Sequence, residues 1–595
     1  MVLRLFVGLA LLAALVRMPL TGAAQKKEAA SIKDPVLEAM AAELDRSRQL
    51  QVMGVDAPYF IEYSMFDGHS LALTASLGAL VHSHSNRFRL PQVQVRVGTY
   101  ALDNTNFASS GMRGGERRVS GFPLDNDPLV MRHMLWLATD EAYKQSAAQM
   151  ARKRAALKSM TQSDQFADFH PAEPNVLLLD PRHQTLDEKA WVETIRRLSA
   201  VFSQAPELAQ SAVDFYANQS TFYLANSEGS RIRSPESTMY VRLFAQGQAP
   251  DGMELRDSVS FYARDFGRMA DAESMRRAAA ELGASLQALL RAPAGDSYVG
   301  PVLFEGEAAA QLMAQLLGRN LALRRRPLSE PGRPVPFQAS ELEGRFGSRI
   351  LPEWISVEDN PTISEWEGRP LIGAYVVDLE GISPKPLTVV ENGVLKNPLL
   401  TRQPIKGFPA SNGHGRLPGP LGANAAAFSN LMVSASQTEP LADLKKKLIE
   451  LAQQRQKPYA IVVRKLDFPS PGSFDEVREI LTRAAQSGGG LTATSLPLLV
   501  YRLYPDGREE LVRGMQFRGL GVRALRDIVC ASAERVAFHY LENNMPFALW
   551  NAASVVAECS VVTPSLLLEE VELEKREGQW PHLPLVPAPD LSPSL

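Results

Sequence analysis

The sequence predicts a mixed α+β fold, and three observations support this prediction. Stretches of alternating apolar and polar residues, typical of β-strands, occur in both halves of the 595-residue chain. Amphipathic helical segments lie between these stretches. The cluster Pro293-Ala294-Gly295 follows a strong helical segment and marks a boundary between two domains.

The first half is predicted to begin with a helix and then to alternate between groups of strands and helices. Apolar spacing predicts helices over Asp34 to Gln51, Pro128 to Met160, Trp191 to Phe202 and Ala272 to Leu290. Alternation predicts strands over Tyr59 to Met65, Ser70 to Val81, Gln92 to Gly98 and within Phe215 to Phe261, with Asn226-Ser227-Glu228-Gly229 as a hairpin turn.

The second half is predicted to open with a strand that runs directly into a helix, from Val302 to Met313. A long loop rich in Gly, Pro, Asn and Ala is predicted over Thr401 to Asn430, and a helix over Leu441 to Gln454. Further strands are predicted over Leu371 to Val377, Thr388 to Leu395, Tyr459 to Arg464, Leu498 to Tyr504 and Leu511 to Gln516, with Asp506-Gly507 as a tight turn.

Composition excludes several classes of function. Apolar residues make up 45% of the chain, which is enough for a substantial core. The net charge of −3 gives no basic footprint for nucleic acid. The two cysteines, Cys530 and Cys559, do not form a disulfide framework, and the sequence leaves open whether they form one bridge.

The N-terminal residues have the pattern of a signal peptide. Arg4 is followed by an apolar stretch from Leu5 to Val16 and by the small residues Gly22-Ala23-Ala24, which predicts cleavage after Ala24. The mature protein is therefore expected to be periplasmic or secreted, with no membrane segment after cleavage; an uncleaved anchor is the alternative.

Several local patterns, in order along nearly the whole mature chain, resemble the TldD/TldE (PmbA-like) family of peptidases. They are Val95-Arg96-Val97-Gly98, Leu102 to Phe107, Ala138 to Lys144, Asn226 to Gly229, Val390 to Leu395, Ser411 to Arg416 and Pro564-Ser565-Leu566-Leu567. The resemblance implies two α+β domains, a cleft enclosed by a dimer, a zinc site in the C-terminal domain and cleavage of small or unfolded peptides. It also implies pairing of a zinc-bearing subunit with a partner that lacks the motif.

On this basis the chain divides into four parts. Residues 1–24 are the signal peptide, and residues 25–293 form an N-terminal TldD/PmbA-like domain of the α/β-sandwich type. Residues 294–577 form a mainly antiparallel β domain with helices, related to the family's metallopeptidase domain. Residues 578–595 are a loose proline-rich tail.

The family's zinc motif, His-Glu-x-x-x-His, is degenerate in this sequence. Gly306 and Gln311 occupy the two histidine positions, and only Glu307 remains. The family also takes a ligand from a cysteine, whose position falls near Trp550-Asn551, where no cysteine occurs. Because glycine has no side chain and a neutral amide is a poor zinc ligand, we expect no metal site and no activated water for Glu307 to deprotonate.

The glycine-rich segment Ser411 to Arg416 is the second candidate site. Asn412, His414 and Arg416 are candidates to line a peptide cleft, where an extended substrate could pair with the backbone. The alternative is a structural turn that uses Gly413 and Gly415 for unusual dihedral angles, and the sequence leaves both open.

Three functional hypotheses follow from these residues and the resemblance. The first is a non-catalytic subunit that works with a zinc-bearing TldD-like paralogue on peptide substrates. The second is an active peptidase with a rebuilt site that uses Glu305, Glu307 and a histidine from elsewhere. The third is a homodimeric peptide-binding or scaffold protein.

Overall fold

The computed structural model describes residues 34–51, 54–109, 116–119, 121–159, 166–333, 335, 337, 339–419, 421–468, 495–542, 556–578 and 580. The predicted signal peptide, Trp550-Asn551 and most of the proline-rich tail lie outside these residues. No helix in the described part of the chain is long and apolar enough to cross a membrane.

The first half of the chain forms one seven-stranded sheet with four α-helices. The helices are α1 (Pro35–Ser47), α2 (Pro128–Leu157), α3 (Glu188–Ala200) and α4 (Ala272–Arg291), with 3₁₀ turns at Val201–Gln204 and Phe266–Arg268. The strands are β1 (Pro58–Ser76), β2 (Ala79–Val97), β3 (Phe107–Ala108), β4 (Glu116–Arg118), β5 (Val176–Leu178), β6 (Leu208–Asn226), β7 (Arg231–Gln248) and β8 (Glu254–Ala263). Their order in the sheet is β4-β2-β1-β6-β7-β5, with β8 also on β7 and β3 outside the sheet.

All four helices begin in the same way and lie on the same face of this sheet. Each follows an aspartate whose carboxylate accepts hydrogen bonds from backbone N–H groups of the first turn. Ile61 and Tyr63 of β1 pack in a cluster with α1 and α2, whereas Leu71 and Leu73 pack in a cluster with α3 and α4. Because alternate residues of a strand face the same side, these clusters form one helical layer on one side of the sheet.

The opposite face of the first sheet lies against the second half of the chain. Tyr240 of β7 packs there against Ile372 and Leu541, next to Tyr216 and Tyr262 of the neighbouring strands. The ring centroid of Tyr240 is 5.6 Å from that of Tyr216 and 6.1 Å from that of Tyr262. The two halves therefore meet across a face of the sheet that carries a row of tyrosines.

The second half is built around an eleven-stranded, mainly antiparallel sheet. Its helices are α5 (Glu307–Met313), α6 (Arg319–Leu321) and α7 (Leu441–Gln454), with a π-helical turn at Ala314–Gly318 and a 3₁₀ turn at Val522–Asp527. Its strands are β9 (Tyr298–Phe304), β10 (Leu328–Ser329), β11 (Ile355–Asp359), β12 (Glu365–Trp366), β13 (Arg369–Pro370), β14 (Leu387–Glu391), β15 (Val394–Leu395), β16 (Leu417–Pro418), β17 (Asn424–Ala425), β18 (Asn430–Ala435), β19 (Ala460–Leu466), β20 (Pro497–Leu503), β21 (Glu509–Val512), β22 (Met515–Phe517), β23 (Ile528–Glu542) and β24 (Ala557–Lys575).

The strand order places the strand–helix junction near the middle of this sheet. The order is β15-β14-β11-β18-β24-β9-β19-β20-β21, and β22 and β23 also pair with β24. Val302 and Phe304 of β9 pack on the face that carries α5, whereas Leu303 packs on the face that carries α7. The predicted α+β class is confirmed, with a helix-covered sheet in the first half and a mainly antiparallel sheet in the second.

Four predicted strands were wrong. Leu511 to Gln516 is divided at Gly514, which has positive φ, between β21 and β22. Ser70 to Val81 is not one strand, because the chain reverses between β1 and β2 at Leu77-Gly78, both of which have positive φ. Thr388 to Leu395 is the hairpin β14–β15, which turns at Asn392-Gly393. Leu371 to Val377 is irregular. Side chains take over its backbone bonds: Ile372 N–H donates to Ser560 Oγ (3.0 Å) and Gly373 N–H donates to the Asn430 side chain (3.1 Å).

Candidate functional site

The degenerate motif lies where β9 passes into α5. Gly306 forms the turn with φ +58° and ψ −115°, a backbone conformation that strongly favours glycine. Its N–H donates to Ser565 Oγ on β24 at 2.9 Å. The residue at the first histidine position therefore serves as the backbone turn that starts the helix.

Gln311, at the second histidine position, is buried and uses both ends of its amide. The Nε2 group donates to Glu307 Oε1 at 2.8 Å, one helical turn earlier. The Oε1 atom accepts the backbone N–H of Leu466 on β19 at 2.7 Å. Gln311 therefore fixes the carboxyl group of Glu307 and joins α5 to β19.

Glu307 is partly buried beside groups from both halves of the chain. Burial raises the pKa of its carboxyl group, while the positive charge of Lys465 acts in the opposite direction and Asp257 acts with burial. Tyr262 of β8 is also close, since the charge of Glu307 adds to burial in raising the pKa of that phenol.

The neighbouring Glu305 belongs to a different cluster. Its carboxylate pairs with Arg464 (3.2 Å) and with Lys445 of α7 (3.1 Å). Both cations also pair with Glu509 of β21. Glu305 is thus held in an ionic network with α7, a helix that packs on the face of the sheet opposite to α5.

The glycine-rich segment is packed into the interior. Asn412 accepts the N–H of Leu400 at 2.8 Å and donates to the carbonyl of Pro398 at 2.8 Å. His414 is fully buried, with Nε2 at 2.8 Å from Asp359 Oδ2 and Nδ1 at 2.9 Å from the Asn412 side-chain oxygen.

Arg416, the third candidate in this segment, is also buried. It donates to the carbonyls of Phe428 and Glu558 and lies over the ring of Tyr375. Gly413 has φ +79°, and a Cβ there would lie 2.9 Å from the backbone of Pro384. These contacts are those of a tightly packed turn; a role of Asn412, His414 and Arg416 in peptide binding stays a prediction.

Comparisons with known proteins agree with this fold and this junction. Residues 297–452, which contain β9, α5 and most of α7, match the model of the PmbA/TldA metallopeptidase C-terminal domain. Over these residues the chain resembles the TldD/TldE family. A metalloprotease of Methanothermobacter thermautotrophicus is 26% identical over 201 residues, which are 33% of this chain and 40% of that protein.

Solved structures place the TldD/TldE fold over most of the chain. TldE of Thermococcus kodakarensis has a TM-score of 0.53 at 13% identity, covering 90% of this chain and 99% of its own. Two proteins described as proposed modulators of DNA gyrase give similar values. The one from Thermotoga maritima has a TM-score of 0.52 at 15% identity, covering 86% and 96% of the two chains. The one from Bacteroides thetaiotaomicron has 0.54 at 10% identity, covering 91% and 98%.

The residues at the TldD/TldE motif do not fit the zinc ion that the resemblance implies. Gly306 has no side chain, and the single amide oxygen of Gln311 is taken by the N–H of Leu466. No group of three His, Cys, Asp or Glu side chains that could hold a metal occurs among the residues that the structure describes. Cys530 and Cys559 are free thiols buried on β23 and β24.

The sequence analysis did not predict the buried ionic cluster that joins the two halves of the chain. Arg402 is almost fully buried, donates to the carbonyl of His170 and pairs with Glu228 at 2.6 Å. The Arg402 N–H donates to Glu380 at 2.6 Å. Burial raises the pKa of the neighbouring Glu62 carboxyl to about 7, although Arg402 opposes this. Arg402 lies in the predicted loop, where nothing in the local pattern indicated burial.

Lys465 and Asp257 were also missed, although the sequence contains a signal. Residues 460–466 read Ala-Ile-Val-Val-Arg-Lys-Leu, so two adjacent cations interrupt an apolar strand. A lysine in such a run is rarely buried unless it has a partner. Its partner, Asp257, is distant in sequence and could not be identified by spacing.

Proposed function

We propose that this protein is a non-catalytic member of the TldD/TldE family that acts with a zinc-bearing paralogue on peptide substrates. One observation carries the proposal. The position of the second histidine holds Gln311, whose only oxygen already accepts the N–H of Leu466. Metal binding there would depend on a neutral amide oxygen that already accepts a buried backbone hydrogen bond, and such an oxygen is a weak zinc ligand.

Without a metal, Glu307 has no activated water to deprotonate. In zinc hydrolases the metal lowers the pKa of a bound water, and a glutamate then removes the proton. Here the carboxyl group of Glu307 accepts a hydrogen bond from Gln311 instead. The architecture of two packed sheets, which is similar to that of TldE from Thermococcus kodakarensis, supports a role in forming a peptide chamber, while the partner would supply the hydrolytic chemistry.

The first test measures metal content and activity of the purified protein. We expect no stoichiometric zinc by elemental analysis and no hydrolysis of unfolded peptides by the protein alone. The tagged chain, recovered from its native host, should bring with it a relative that has an intact His-Glu-x-x-x-His motif. One equivalent of tightly bound zinc would overturn the proposal. Recovery of self-dimers alone would favour the scaffold alternative.

A pair of substitutions separates the proposed role from a rebuilt active site. Glu307→Gln removes the only motif residue that could act as a base. Glu305→Gln is the matched control, because Glu305 belongs to the ionic network with Arg464 and Lys445. Because the structure holds Glu305 in the network with α7, a rebuilt site is left with Glu307 as its base and predicts that Glu307→Gln abolishes hydrolysis while Glu305→Gln does not. The proposed role predicts that neither change alters hydrolysis by the complex with the paralogue.

Export forms part of the proposal and has its own test. The apolar stretch from Leu5 to Val16 and the small residues up to Ala24 support cleavage at that point. N-terminal sequencing of the protein from the host periplasm or medium should give Gln25 as the first residue. A cytoplasmic protein that retains Met1 would refute this part and leave the catalytic assignment untouched.

A further inference from the structure

Lys465 lies at an irregular point of β19. The register of β19 with β20 shifts between Val463 and Lys465 and shifts again between Lys465 and Leu466. Such bulges redirect side chains and are frequent next to functional sites. Here the side chain of Lys465 crosses from the second half of the chain to the sheet of the first half.

The ammonium group is buried between the two halves. Its Nζ atom lies 2.7 Å from Asp257 Oδ1 and 2.8 Å from the carbonyl oxygen of Ser258, both on β8. Lys465 is 9% exposed and Asp257 is 5% exposed. Burial lowers the pKa of Lys465, but attraction to Asp257 and Glu307 outweighs burial and raises the pKa above its ordinary value.

The hydrogen bonds of Gln311 hold Glu307 close to β19, the strand that carries Lys465. Gln311 holds the Glu307 carboxyl group by one hydrogen bond and the neighbouring backbone, Leu466 N–H, by another. Asp257 of the first half contacts Lys465 directly, and the Glu307 carboxyl group of the second half is close enough for the charge of Lys465 to act on its pKa. Burying such acids without a cation would be costly.

Other cations close to this point have different partners. Arg464, next to Lys465, pairs with Glu305 and Glu509 on the α7 side. Arg256, next to Asp257, pairs with Asp467 at 3.2 Å. Lys465 is thus the cation that is paired with Asp257, and its charge also acts on Glu307.

We propose that the ammonium group of Lys465 is a built-in cation that replaces the metal charge at the degenerate motif and ties β19, the strand that Gln311 of α5 contacts, to the sheet of the first half. It stabilises Glu307 and Asp257 in the folded protein and competes with divalent cations for their carboxylates. This inference rests on the proposed loss of zinc. It further predicts that removal of one side chain makes the site receptive to a cation.

The test compares Lys465→Met, which keeps the length of the side chain, with Lys445→Met. Lys445 is the matched control because it also bridges two carboxylates, but it is 24% exposed and Arg464 still pairs with both of them. We expect Lys465→Met to lower the melting temperature by several degrees and Lys445→Met to lower it by clearly less. Equal effects would overturn the inference.

The second measurement uses MnCl₂ as the probe. Carboxylate and carbonyl oxygens are the donors that remain when the ammonium is gone, and they suit Mn²⁺. Titration calorimetry should give at least tenfold tighter Mn²⁺ binding to Lys465→Met than to the wild type, and the addition of Glu307→Gln should remove the gain. Equal affinity of Lys465→Met and the wild type would refute the competition.

A further variant covers the case in which Lys465→Met does not fold. The triple variant Lys465→Met, Asp257→Asn, Glu307→Gln removes the cation together with both acids, and we expect it to fold. Failure of this triple variant would contradict the proposed charge balance. Zinc analysis of the wild type tests the proposed function separately, because these variants report on stability and on Mn²⁺ alone.

Discussion

His539 should make the folded protein sensitive to acid. It lies on β23 opposite Ser560 of β24, and its Nδ1 atom is 3.0 Å from Ser560 Oγ. The same oxygen accepts the N–H of Ile372 at 3.0 Å, so the hydroxyl hydrogen is available for the histidine. Because burial lowers its pKa, the ring is neutral at pH 7, and Nδ1 shares a hydrogen bond with the Ser560 hydroxyl group.

The pKa of His539 determines the size and sign of the change in stability with pH. Burial lowers the pKa of His539 from 6.5 to about 4. Between these values the unfolded chain binds a proton that the folded protein does not, so stability falls as the pH falls. At about 1.4 kcal/mol per pKa unit, the loss is roughly 3 kcal/mol at pH 4, an upper figure because the ring is only partly buried.

The assay is urea unfolding of the wild type and of His539→Gln between pH 7 and pH 4. Glutamine can still accept the Ser560 hydrogen but does not titrate, so the stability difference between the two proteins should shift by roughly 3 kcal/mol across this range. Glu62, with its pKa raised to about 7, acts with the opposite sign but is present in both proteins and cancels. The exposed His183→Gln serves as the control. Parallel pH profiles for wild type and His539→Gln would refute the reasoning.

Three further predictions concern the buried cluster, one turn and the thiols. Arg402→Met leaves Glu228 without its buried partner and should cost roughly 3–5 kcal/mol in thermal unfolding; a loss below about 1 kcal/mol would contradict the cluster's role. Gly393→Ala should cost more than Gly407→Ala, since both glycines have positive φ but only at Gly393 would a Cβ meet a backbone carbonyl oxygen, at 2.3 Å. The two buried cysteine thiols should react with a thiol reagent only after unfolding and should then give two equivalents, whereas a disulfide would give none.

Helices were predicted well because their information is local. The predicted helix from Leu441 to Gln454 coincides with α7, and α1, α2 and α4 begin at or within one residue of the predicted start. An apolar repeat of about 3.6 residues and an aspartate or proline at the start specify such a helix without distant contacts.

Strands in the interior were predicted less well. β24, from Ala557 to Lys575, was not recognised, although β18, β9 and β23 all pair with it. It is buried on both faces over most of its length, so it lacks the alternation that identifies a strand with one wet face. Leu371 to Val377 shows the opposite error, because an apolar run was taken for a strand although side chains satisfy its backbone.

The sequence alone determined which chemical groups are available at the motif. Gly306 and Gln311 occupy the positions of the family's histidines. Glycine has no side chain, and the amide of glutamine is a poor zinc ligand in any fold. Only the tertiary structure decided how the remaining glutamate is stabilised. Lys465 and Asp257 lie more than 200 positions apart along the chain, and two packed sheets bring them to 2.7 Å beside Glu307. Such a contact depends on the packing of both halves, which no local pattern encodes.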